Sequence, residues 1–252
     1  MTRKHCISKS HACARRRSSP AVGGSRYRQA DSVSTALHDD VEASVNRIRS
    51  CQANQHGIPD NAGDIIRGAD GHAESYLHGA TVLSTLAGFS LSQDIDVSQN
   101  RVYQAYEDRF GPPPAVRGGF RDRFDRSRHA DEDAAKASEL GSLSDRLSRM
   151  AGHLSNGINY RCRNACRDDW VLWTQVGRNH RRINMCPDFF TSGYSESQQA
   201  IGIIHELGHN RLRLDHHNAN TSAQRVGNPE CYASFVADIF GVNSWDSQCP
   251  PR

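Results

Sequence analysis

At 252 residues the chain is long enough for one domain with an extension or for two small ones. Hydrophobic residues make up 37% and mean hydropathy is −0.69, which excludes a uniformly apolar globule; no apolar run reaches the roughly 18–20 residues that span a bilayer. The net charge of +3 hides an asymmetry: residues 1–50 carry ten Lys/Arg against four Asp/Glu, so the remainder sums to −3 and the basic character belongs to the N-terminus.

That N-terminus, "MTRKHCISKSHACARRRSSPAVGGSRYRQ", has no acidic residue and no apolar segment of the length a secretory signal needs. Its Arg- and Ser-rich composition buries too little surface to offset chain entropy, so residues 1–70 are expected to be a disordered basic region. A solvated tail, or an address read by a dedicated secretion system, is the reading preferred over a nucleic-acid or membrane arm. Residues 71–252 are expected to form the folded domain. "DNAGDIIRGADGHAE" (60–74) is turn-rich and reads as linker. "SYLHGATVLSTLAGFSL" (75–91) reads as a short helix through Val82, Leu83 and Leu86.

Val102, Tyr103, Tyr106 and Phe110 recur at helical spacing, and Gly111 with the three prolines after it stops that helix. Leu140, Leu143, Leu147, Met150 and Leu154 make a second apolar stripe, which is core and carries no chemistry. The texture then changes. Trp170, Val171, Trp173 and Val176 sit in an alternating segment, and "RRINMC" reads as a strand ending at Pro187, so a hairpin or small sheet is expected. Five of the eight cysteines, Cys162, Cys166, Cys186, Cys231 and Cys249, lie after residue 160. Cys162 and Cys166 have no second pair to complete a four-ligand knuckle. Disulfides are the better reading, and they point to an oxidising final environment.

The chemistry is expected in "SESQQAIGIIHELGHN" (195–210). Ser195 with Gln198 three residues on fits a capping box opening a helix. Positions four apart share a helix face, so His205 and His209 can grip one ion while Glu206 stands beside it. That is the H-E-x-x-H arrangement of zinc hydrolases, two neutral imidazoles on Zn²⁺ and a glutamate near the metal-bound water. The bland alternative is a buried helix with incidental histidines in a chain that has 13 of them. An open catalytic position requires a third protein ligand. Asp215 is the first choice, with His216, His217 and Glu230 as competitors. Gly208 leaves room for another element to pack closely. Asn228 and Pro229 open the last helix as N-cap and first residue, with Tyr232, Phe235, Val236 and Ile239 as its apolar stripe. Tyr232 is either core or the hydroxyl that stabilises an oxyanion.

In this order, "YRCRNAC", "INMCPDFF", "IIHELGHN" and "NPECYASFVADIFG" resemble the aspzincin metallopeptidases, the family of deuterolysins and lysine-specific metalloendopeptidases. The resemblance covers roughly residues 95–245. It implies an α+β, mostly helical, zincin-like domain with a small β-hairpin or sheet before the zinc helix. It also implies a Cys166–Cys186 disulfide, His205 and His209 as ligands, Glu206 as general base and an aspartate as third ligand. Glu230 matches an acidic position that binds the substrate lysine in lysine-specific members. The segment "NRLRLDHHNANTSAQRV" departs from the family's Gly-Thr-x-Asp-x-x-Tyr-Gly loop, and Ala233 stands where some lysine-specific members carry a second acid.

The function expected is therefore a secreted or effector-like, monomeric zinc endopeptidase acting on protein or peptide substrates, without a membrane or nucleic-acid partner. The alternatives are a zinc-binding protein without peptidase activity and an interaction protein with a basic N-terminal arm.

Overall fold

The structure, a computed structural model, describes residues 4–8, 47–51, 57–111, 132–164, 166, 170–176, 181–216, 219–243 and 249–251. They form an α+β fold, mostly helical, around a small mixed sheet. The elements in chain order are β1 (Lys4–Ser8), β2 (Arg47–Arg49), α1 (Ala62–Ser92), α2 (Arg101–Arg109) and α3 (Glu132–Ser155). There follow β3 (Asn159–Cys162), β4 (Trp170–Gln175), β5 (Arg182–Met185), α4 (Pro187–Thr191), α5 (Glu196–Arg211), α6 (Ser222–Val226) and α7 (Pro229–Phe240).

The sheet runs β1-β4-β5-β3-β2. β4 is antiparallel to both β1 and β5, with Trp173 opposite Asn184; β3 is parallel to both β5 and β2. The expected hairpin is thus the centre of a wider sheet. Cys166 and Cys186 are disulfide-bonded beside it, and Trp170 and Trp173 pack with them into a small cluster of their own.

Two expectations about the first part of the chain are corrected. Residues 1–70 do not form a separate disordered region throughout: β1 and β2 lie in the sheet, Cys51 is bonded to Cys162, and α1 already begins at Ala62. These short strands have no pattern of their own, because their partners lie more than a hundred residues away. The rest of that region lies outside the described residues. The linker read at 60–74 is the first half of α1. Its buried stripe is Ala62, Ile66, Ala69, Ala73, Leu77, Ala80, Ser84, Ala87 and Leu91, a regular alternation of three- and four-residue steps made mostly of small side chains. Small residues let α3 pack along it in the fold's most extensive helix contact. A Cβ on Gly79 would stand 2.8 Å from the tip of the Phe240 ring, so a larger residue there would have to displace that ring. Val82 and Leu86, expected to point inward, are more than half exposed.

The expected stripes of α2 and α3 are core: Tyr106, Leu140, Leu147, Met150 and Leu154 are buried. α5 runs through the middle, between β4 on one side and α1 and α7 on the other, and every residue from Gln199 to Asn210 is buried. The buried Arg225 guanidinium donates to the carbonyls of Ala219, Asp108 and Arg109, which ties the segment after α5 to the end of α2. Arg109 in turn pairs with Asp238 on α7 at 2.5 Å. A third disulfide joins Cys231 to Cys249. Among the described residues no helix is long and apolar enough to cross a membrane.

Candidate metal centre

α5 opens on a complete capping box. The Gln198 amide donates to Ser195 Oγ at 3.3 Å, and the Ser195 amide donates to Gln198 Oε1 at 3.0 Å. From that fixed start, His205 and His209 arrive one turn apart on a helix with no solvent-facing side at this depth. Their Nε2 atoms are 3.1 Å apart. A third imidazole closes on them: His216 Nε2 lies 3.2 Å from His209 Nε2. Two nitrogens bound tetrahedrally at metal–nitrogen distances of about 2.0–2.1 Å stand about 3.3 Å apart, so this spacing suits a shared ion. His205, His209 and His216 form a group that can hold a metal.

The Nδ1 atoms show how the rings are aimed. His209 Nδ1 lies 2.8 Å from the Leu214 carbonyl, which can only accept. The proton therefore sits on Nδ1 and the Nε2 lone pair faces the cluster, the tautomer a metal needs. His205 Nδ1 is 2.7 Å from Glu230 Oε2. The approach is close but lacks the alignment of a hydrogen bond, so it is an electrostatic contact rather than a linear donor–acceptor pair. Burial alone would push the His205 pKa down; Glu230, with a smaller pull from Glu206, outweighs it and holds it above the usual value.

Glu206 is fully buried, and among the described residues neither carboxylate oxygen has a hydrogen-bond partner. Burial pushes its pKa up to about 8, against the opposing pull of His205 and of the Thr174 backbone amide, which faces the carboxylate without making a hydrogen bond. An uncompensated carboxylate in the core costs several kcal/mol on an order-of-magnitude scale, and such groups cluster where chemistry is done.

The third position differs from the sequence expectation. Asp215, the first choice, is not in the imidazole group; its Oδ1 accepts from the His216 amide at 2.8 Å. The reason lies in how the chain leaves α5. Leu212 and Leu214 both send their amides to the Gly208 carbonyl, and Arg213 between them adopts φ +58°, the left-handed turn that glycine usually makes. The turn brings His216 against His205 and His209 and turns Asp215 onto the backbone. His217 lies outside the described residues.

Glu230 and Tyr232 are also placed differently from their expected roles. Asn228 caps α7, its Oδ1 accepting from the Glu230 amide at 2.9 Å, with Pro229 first in the helix as the sequence indicated. Glu230 then projects from the first turn onto His205 rather than standing apart as a substrate acid. Gly208 makes that approach possible: a Cβ there would meet Pro229 Cβ at 2.7 Å. Tyr232 is core. Its hydroxyl donates to the Val226 carbonyl at 3.0 Å, lies 2.5 Å from the Arg146 guanidinium, and its ring packs edge-on to Phe110. A buried hydroxyl so engaged has no part in holding an oxyanion. The supporting contacts of Leu214 and Thr174 were not anticipated; both depend on backbone position, which no residue-type pattern encodes.

No family model, curated protein or solved structure matches the chain.

Proposed function

We propose that this protein is a zinc-dependent endopeptidase with a zincin-like domain, working in an oxidising compartment outside the cell that makes it. The observation that carries the reading is Glu206: a buried carboxylate with no hydrogen-bond partner, next in the chain to one of three converging imidazoles. A structural metal site needs no such group, whereas hydrolysis needs a base. The three disulfides agree with an extracellular protein.

His205, His209 and His216 would hold the ion, and three imidazoles with one open position suit Zn²⁺. Zinc bound there lowers the pKa of a water and polarises a carbonyl. Glu206, next in the chain to His205, would act as the base toward such a water and pass its proton to the leaving amine. Glu230 holds the His205 ring, and the Leu214 carbonyl holds the His209 ring.

The test is Glu206→Gln beside the wild type and His205→Ala. The glutamine variant is expected to keep its zinc and lose casein cleavage by about 10²–10⁴-fold, the usual contribution of a general base. His205→Ala is expected to lose both. Zinc bound by the wild type with no cleavage of any protein would instead assign the site to a non-catalytic zinc protein.

A further inference from the structure

On the other side of α5 lies a cavity of about 260 Å³ lined by Arg149, Gly152, His153, Asn156, Arg181 and Arg211. Arg211 stands two residues beyond His209, about 200° round the helix, so this cavity is separate from the metal centre. It contains three guanidiniums and one imidazole, and among the described residues no carboxylate lines it.

Among the described residues neither Arg181 nor Arg211 forms an ion pair, and Arg149 has only Asp145, 4.0 Å away and largely exposed. Arg181 is nonetheless held in place. Its guanidinium donates to the Asn156 carbonyl at 2.6 Å, and its own carbonyl accepts from the Asn159 backbone and side-chain amides at 2.6 and 2.9 Å. His153 at the back is buried, with Nε2 3.1 Å from Asn210 Oδ1. Burial, and to a lesser degree the charges of Arg181 and Arg211, push its pKa below the usual histidine value against the opposing hydrogen bond of Asn210. Like charges assembled in one concavity repel unless a ligand balances them.

We propose that this cavity is a binding site for a phosphate-type dianion, either free or as the head of a small phosphomonoester. A dianion matches the two guanidiniums without an ion pair in charge, and a tetrahedral group offers more oxygens to the three lining guanidiniums than a carboxylate, which has two oxygens and one charge. The volume, roughly eight water molecules' worth, takes a phosphoryl group and part of its ester.

The experiment is calorimetric titration of the full chain, zinc-loaded and chelator-treated, with inorganic phosphate and separately with glycerol 2-phosphate, at ionic strength held constant with chloride. Both metal states are expected to bind at least one of the two. Arg181→Gln with Arg211→Gln is expected to weaken binding tenfold or more while folding and zinc content stay unchanged. The tighter of the two ligands identifies the source. The proposal is overturned if neither binds beyond chloride, if the double variant binds as the wild type does, or if binding vanishes with the zinc, which would place the phosphate on the metal.

Discussion

Glu230 shows how much depends on one side chain. Its carboxylate faces the Nδ1 of a histidine that is 1% exposed and has no other acceptor. Groups that orient a metal-bound imidazole in this way typically govern metal affinity by 10–100-fold. Glu230→Ala is therefore expected to weaken zinc binding by about that factor in a chelator competition, and Glu230→Gln by less, since its amide oxygen can still face the ring. A substrate-binding Glu230 would instead raise KM and leave zinc affinity untouched, so the two roles separate in one pair of measurements. The same local logic explains Asp215 and His216. Residue type favours neither, since carboxylate and imidazole both bind zinc. A left-handed Arg213 at the end of the helix decides which of the two neighbours joins the imidazole group.

Among the elements, the contact that matters most is that of α5 with α7. Gly208 lets the first turn of α7 come close enough to bring Glu230 against His205. Gly208→Ala would improve the helix propensity of α5 by about 1 kcal/mol, but its methyl would have to displace the Pro229 ring and backbone. The displacement is expected to win, with a net loss of about 1–3 kcal/mol in denaturant unfolding and weaker zinc binding as Glu230 moves away. Unchanged stability and unchanged zinc affinity together would mean that the two helices do not need this approach. α1 works in a similar way: its Ala, Gly and Ser stripe contributes little hydrophobic area per residue, but it lets α3 and α7 pack closely along it.

In the whole molecule, disulfides tie together segments that the helices do not hold. Cys51–Cys162 spans 111 residues and fastens β2 beside β3, whereas Cys166–Cys186 spans 20. Loop-closure entropy makes the longer link worth more by about 1.5 kcal/mol. The Cys51→Ser with Cys162→Ser variant is expected to lose about 4–5 kcal/mol, more than the Cys166→Ser with Cys186→Ser variant, in equilibrium unfolding under non-reducing conditions. The reverse order would show that packing of Trp170 and Trp173 on the shorter link outweighs chain entropy.

The helix that carries His205 and His209 was legible from residue order alone because its signals are local. The Ser195–Gln198 cap, the four-residue step between His205 and His209, and the Asn228–Pro229 start of α7 each lie within one helical turn, where spacing dictates geometry. The stripes of α2 and α3 were legible for the same reason. α1 was not, because its inward face is made mostly of small residues while two of its large apolar ones, Val82 and Leu86, face solvent. Tertiary structure decided the rest: His216 over Asp215, Glu230 on His205, Tyr232 in the core, and β1 and β2 in the sheet. Each of these depends on where a chain turn or a distant partner comes to lie, and residue spacing does not carry that information.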